Sequence, residues 1–117
     1  MDIEKIYEKV YDEAFIYKIT SKQSKYIYIG STCKKPHQRL KQHKKDYRRY
    51  LKNNYCYVRS FDLIKYDDVK ISIIYTFNNI NNRLLRKIED SYIRNYKNIT
   101  LNKNRPYKNN IKRPFKN

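Results

Sequence analysis

The sequence predicts a small α/β domain of the α+β kind: a short, three-stranded, mostly antiparallel sheet flanked by helices, in the order β-β-α-α-β-α. Three observations carry that reading. Phe15 to Thr20 and Tyr26 to Ser31 are rich in β-branched and aromatic residues and are separated by polar Ser21 to Lys25, so they read as a hairpin. Val69, Ile71, Ile73 and Tyr75 alternate with Lys70, Ser72 and Ile74, the period of a third strand. Between and after these strands, apolar residues recur at the three-to-four spacing of helices. A chain of 117 residues suffices for one domain with a modest core.

Each element has its own warrant. Ile3, Ile6, Val10 and Ala14 fit a short amphipathic helix or arm, and residues 1–13 form an acidic arm carrying Asp2, Glu4, Glu8, Asp12 and Glu13. Gly30, the single glycine, marks a backbone need on the second strand, either positive φ or a close approach. Pro36 suits the first turn of a helix that runs to about Leu51, with Leu40, Tyr47 and Leu51 on its buried side. Tyr55 to Tyr66 is expected as a second helix, with Tyr55, Val58, Phe61 and Leu63 inward. Asn78 to Asn82 is a polar break able to cap a last helix, Asn82 to Tyr96. Its apolar stripe is Leu84, Leu85, Ile88, Tyr92, Ile93 and Tyr96, with Arg86, Lys87, Asp90 and Arg94 on the other side. The main body is placed at residues 14–106, followed by a basic tail over residues 107–117.

Charge narrows the function. The chain holds 28 Lys and Arg against 11 Asp and Glu, a net +17. Residues 14–117 alone carry 26 basic and 6 acidic residues, a net +20. Such a field draws in phosphate-rich polymers. An anionic membrane is the weaker rival, because no basic amphipathic helix shows a broad apolar face. No run is long enough to span a bilayer, and the acidic start fits neither a signal peptide nor a transit peptide. Cys33 and Cys56 lack metal-site spacing and read as free thiols of a reducing, intracellular compartment.

Four groups of residues carry chemistry. Glu89 is a carboxylate inside the apolar stripe of the last helix, one turn after Leu85 and one turn before Ile93. A carboxylate held against a core needs a cation or a metal beside it. Tyr17 and Tyr28 lie on paired strands, where alternation puts Tyr17 on one face with Phe15 and Ile19, and Tyr28 on one face with Tyr26 and Gly30. Arg39 and His43 stand four apart on one helix face. An Arg can grip a phosphate through two parallel hydrogen bonds, and a His can exchange protons near neutral pH. Singly, each has a bland reading: a salt-bridged Glu at the stripe's edge, core tyrosines, a solvated basic face.

Their order and spacing are more specific. Phe15-Ile16-Tyr17, ten intervening residues, then Tyr28-Ile29-Gly30-Ser31-Thr32, followed by Arg39, His43, Glu89 and Leu101-Asn102-Lys103-Asn104-Arg105-Pro106, resembles the GIY-YIG nuclease family. The resemblance covers roughly residues 14–106 and is greatest to small stand-alone members of large DNA viruses and mobile elements. Phe15 departs from the family's glycine in the first triplet, and no separate DNA-recognition domain follows, only the basic tail.

The resemblance implies a metal-dependent endonuclease that hydrolyses DNA phosphodiester bonds. It implies one Mg²⁺ or Mn²⁺ on Glu89, Arg39 neutralising charge on the phosphorus, and Tyr17 or Tyr28 activating water. His43 is the natural proton relay to a tyrosine, and Asn102 would bond near the phosphate or hold the site together. The DNA backbone would lie on Lys34, Lys35, Lys41, Lys44, Lys45, Arg48 and Arg49, and on Lys103, Arg105 and Lys108 of the tail. The partner is duplex DNA, branched in a variant of this reading, and no membrane; the oligomeric state stays open. Two other readings are a non-catalytic nucleic-acid-binding module that kept the fold, and the catalytic subunit of a branched-DNA nuclease.

Overall fold

A computed structural model describes residues 9–104. Strands β1 (Val10–Thr20), β2 (Tyr28–Thr32) and β3 (Lys70–Asn81) form one antiparallel sheet in the order β2-β1-β3. Helix α1 (Pro36–Leu51) follows β2, a four-residue helix α2 (Phe61–Ile64) precedes β3, and α3 (Asn82–Asn95) follows it at once. A 3-10 turn, Leu101–Asn104, closes the described chain. The β-β-α-α-β-α order is the one read from the sequence.

Two apolar clusters sandwich the sheet. Ala14, Ile16 and Ile29 pack with Leu85 and Ile93 of α3. On the other face Tyr17 and Ile19 pack with Leu63, Ile64 and Val69, with Leu40 and Tyr47 of α1 against them. β1 supplies both clusters because successive side chains point to opposite faces of a central strand.

Several elements differ from the sequence reading. β1 begins at Val10, so Val10 and Ala14 lie in a strand and not in an amphipathic helix. Its N-terminal half pairs with the far end of β3, Val10 opposite Asn81. Ile3 and Ile6 lie outside the described residues. The helix expected over residues 55–66 shrinks to Phe61–Ile64. Ahead of it the chain turns at Asn53, whose φ is 64°, and Tyr55 and Tyr57 are exposed. The rings of Tyr50, Tyr57 and Phe61 pack on one another with centroids 5.3–6.0 Å apart, and those contacts hold this segment as a loop. β3 runs on through the polar Asn78 to Asn81, because β1 offers it a paired edge that local sequence does not reveal. A bulge opposite Ile16 and Tyr17 changes its alternation: Ile71 and Ile73 face the α1 side, while Tyr75 pairs with Ile16 on the α3 side. Leu84 on α3 and Tyr96 just after it, expected within the apolar stripe, are exposed, and so is Leu51 at the end of α1, expected on its buried side.

Helix ends follow the sequence closely. Pro36 opens α1, where its missing N–H costs no hydrogen bond. Asn81 caps α3, its Oδ1 accepting from the Leu84 N–H at 2.7 Å. That cap fixes where α3 starts, and hence where Glu89 lies.

Candidate active site

The site lies at the β2 edge of the sheet, where α1 and α3 approach from opposite faces. One polar pocket is lined by Tyr17, Tyr28, Gly30, Ser31, Cys33, Lys34, Arg39, Arg86 and Glu89, among others. It gathers Tyr17, Tyr28, Arg39 and Glu89 from four elements, β1, β2, α1 and α3, while His43 lies buried behind Tyr17.

β1 and β2 place the two tyrosines. Tyr17 pairs with Gly30, and Ile19 with Tyr28, so all four side-chain positions share the α1 face. Gly30 has no positive φ. Its lack of a side chain serves Tyr17 instead: a Cβ there would fall on Tyr17 Oη and within 2.6 Å of Cζ. The approach that requires glycine is thus made by the phenol itself.

α1 supplies Arg39 and His43 one turn apart. His43 is buried, and its Nε2 lies 2.9 Å from Tyr17 Oη. Arg39 Nε donates to the same oxygen at 3.3 Å. The other His43 nitrogen, Nδ1, lies 2.9 Å from Ser60 Oγ. Tyr28 sets its ring edgewise to His43 at 5.7 Å. Burial, helped by the Arg39 charge and opposed by Asp46, pushes His43 from 6.5 down to about 4, so the ring is neutral at physiological pH. Burial also raises the Tyr17 phenol above its ordinary value, with Arg39 opposing and Glu89 adding to the rise. Burial works against the Arg39 charge as well, but Tyr17, Tyr28 and Asp46 more than offset it.

α3 carries Glu89 to the same pocket. The carboxylate is half-buried and its Oε1 accepts from Ser31 Oγ at 2.5 Å. One helical turn earlier, Arg86 lines the same pocket. The sequence reading put Arg86 on the far side of α3; the three-residue spacing to Glu89 was the signal that it shares that side.

Asn102 does not line the pocket. It is buried beside it, where Oδ1 accepts from the Ile29 N–H at 2.8 Å and Nδ2 donates to the Ile29 carbonyl at 3.0 Å. Thr100 Oγ1 donates to the same Oδ1 at 2.6 Å. Of the cations expected to hold DNA, Lys34 lines the pocket and Lys35 pairs with Glu13 at 3.0 Å. Lys41, Lys45, Arg48 and Arg49 are exposed along α1, and Lys44 is half-buried. Arg49 contacts Asp46 at 3.5 Å and lies over the Tyr55 ring. Lys103 falls in the 3-10 turn, while Arg105 and Lys108 lie outside the described residues. Sequence reasoning missed Ser31, Ser60, Thr100 and Arg86. The three hydroxyls have no signature in a chain, since their role is set by partners far off in sequence.

Among the described residues no cluster of three or more His, Cys, Asp or Glu could cage a metal ion. The donor set suits a lightly held hard cation instead: one pocket carboxylate with room for water, which is how Mg²⁺ is commonly bound. Cys33 and Cys56 are both exposed free thiols. Among the described residues no helix is long and apolar enough to cross a membrane.

A family model of the GIY-YIG catalytic domain matches residues 13–105. The chain belongs to the GIY-YIG family. That membership implies a nuclease in general terms, of a family that acts on DNA and generally uses a divalent metal. No curated protein and no solved structure matches the chain.

Proposed function

We propose that this GIY-YIG protein is a metal-dependent endonuclease that hydrolyses DNA phosphodiester bonds in this pocket. The observation that supports the reading is that Glu89, Arg39, Tyr17 and Tyr28, brought from four separate elements, line one polar pocket. Glu89 would hold a single Mg²⁺ or Mn²⁺, with Ser31 fixing the carboxylate through its hydrogen bond. When bound, such an ion supplies Lewis-acid stabilisation of charge on the phosphoryl and leaving oxygens.

The protein's own groups do the rest. Arg39 offers its guanidinium to the phosphate at the point where negative charge builds up. Tyr28 is half-buried at the pocket wall and suits contact with the attacking water. Tyr17, buried and with a raised pKa, is the poorer base. Lys34 and Arg86 at the pocket wall would receive the phosphates on either side of the scissile one.

The test is nicking of supercoiled plasmid with Mg²⁺, Mn²⁺ or EDTA, beside Glu89→Gln. Nicking that requires metal and falls at least about a hundredfold in the variant is the expected result. Tight DNA binding with no cleavage under either metal would turn the reading to a binding module, and equal nicking by the variant would remove Glu89 from the site.

A further inference from the structure

Ser60 is the least accountable polar residue near the site. It is fully buried and precedes α2, yet its side chain makes no helix-capping hydrogen bond. Its only hydroxyl partner among the described residues is His43 Nδ1, at 2.9 Å. The direction of that bond decides the tautomer of His43, and through it the direction of the bond to Tyr17.

Two arrangements are possible for a neutral ring. In the first, Nδ1 carries the proton and donates to Ser60. The serine O–H is then a buried donor with no acceptor. In the second, Ser60 donates to a bare Nδ1, and only its lone pairs go unused. A buried unpaired donor is the costlier defect, because under-used oxygen lone pairs are common in proteins and orphaned donors are rare. The second arrangement puts the ring proton on Nε2, where it faces Tyr17 Oη at 2.9 Å. Tyr17 Oη then receives two donors, His43 Nε2–H and Arg39 Nε–H. Its own proton must point elsewhere, and Tyr17 lines the catalytic pocket.

We propose that Ser60 is a positioning residue that locks His43 as the Nε2–H tautomer, so that Ser60, His43 and Tyr17 form a one-way chain of donors whose last O–H points into the pocket. The ligand of that O–H is an oxyanion, which on the nuclease reading is a non-bridging oxygen of the scissile phosphate. His43 then takes no proton during the reaction; it is a donor, and its low pKa keeps the ring neutral, with a single ring proton. Each bond polarises the next, so the terminal phenol becomes a stronger donor than a free tyrosine. The chain also accounts for Gly30, since the phenol that reaches these donors occupies the space a side chain at that position would need.

The assignment departs from the usual expectation that a histidine beside a tyrosine removes its proton, and it predicts a specific rescue. Glutamine has a carbonyl to accept from Ser60 and an amide N–H to donate to Tyr17, but it cannot carry a proton away. His43→Gln in the full-length protein should therefore nick plasmid within about tenfold of wild type, whereas His43→Ala should lose about a hundredfold or more, as removal of a preorganised donor does. ¹⁵N–¹H NMR of the wild-type His43 ring at neutral pH should show the proton on Nε2 alone, and Ser60→Ala should mix the two tautomers. A wild-type ring protonated on Nδ1, or a His43→Gln variant as impaired as His43→Ala, would overturn the proposal. The NMR arm needs no turnover, so a protein that fails to nick at all would count against the nuclease reading while the tautomer is still decided.

Discussion

At the scale of single residues, the site is organised by burial as much as by charge. His43 is 3% exposed, and the cost of charging a ring in that place depresses its pKa to about 4. The linkage has a definite sign. In the unfolded chain the ring takes up a proton near its ordinary 6.5, while the folded protein refuses it until about 4. Below 6.5 the unfolded state therefore binds more protons, and stability falls as pH drops. The native contribution is full above about 6.5, declines through the window down to about 4, and levels off beneath it. A shift of that size corresponds to about 2–4 kcal/mol. Urea unfolding of the wild type should lose about that much between pH 7 and 4 beyond what His43→Gln loses; matching pH profiles for the two proteins would show that His43 titrates normally. The candidates Tyr17, Tyr28, Arg39, His43 and Glu89 could be picked out in the sequence because they stand in the order of the family's motifs. What Gly30 is for could not be read there. The alternatives of positive φ and close approach could be listed, but that Tyr17 itself fills the space needed the strand register.

At the scale of elements, legibility tracked how local the cause is. α1 begins at Pro36 and ends at Leu51 as its own sequence dictates. α3 begins after Asn81 because that side chain caps it. β1 and β3 ran longer than expected because each is stabilised by pairing with the other, a long-range effect with no local signature. The β2 edge shows the same contrast. It is short, and its outer side would be open but for the segment after α3. Ile27 exchanges backbone hydrogen bonds with Ile99 and Leu101, and the Asn102 side chain continues the ladder by bonding both the N–H and the carbonyl of Ile29. An asparagine amide has one donor and one acceptor group and can imitate a strand for one residue. The pattern ends beside Gly30 and Ser31, where the pocket begins. Asn102→Ala should therefore destabilise the fold by about 2–4 kcal/mol, because it leaves two buried backbone groups unpaired. The Ile29 amide should lose its hydrogen-exchange protection in the variant. A cost under about 0.5 kcal/mol with Ile29 still protected would mean that water or a neighbour replaces the amide.

At the scale of the whole molecule, the excess positive charge is unevenly placed, and the placement argues for how DNA lies. Residues 71–82, which make up nearly all of β3 and the first residue of α3, contain no charged side chain. β3 is the sheet edge opposite β2, so most of this uncharged segment lies across the sheet from β2, and only its end, Asn82, lines the pocket. Exposed cations stand on both helices that contribute to the pocket: Lys41, Lys45, Arg48 and Arg49 on α1, and Arg83, Arg86 and Lys87 on α3, of which Arg86 lines it. Composition leads to the expectation of a polyanion partner with cations on α1 and the tail; the sequence reading places Arg86 on the far side of α3, although its three-residue spacing to Glu89 puts the two on one side. A duplex seated on the β2 edge would touch both helices. Binding measured as a function of salt should then follow a steep line, with each neutralised phosphate adding about 0.9 to the log–log slope. Replacing Arg86 and Lys87 by alanine should lower that slope by about 2 and weaken binding evenly across DNA sequences, as backbone contacts do. Replacing Lys41 and Lys45 on α1 should lower it by a similar amount. If the α3 pair leaves the slope unchanged while the α1 pair lowers it, the duplex runs along α1 alone, and Arg86 holds no flanking phosphate.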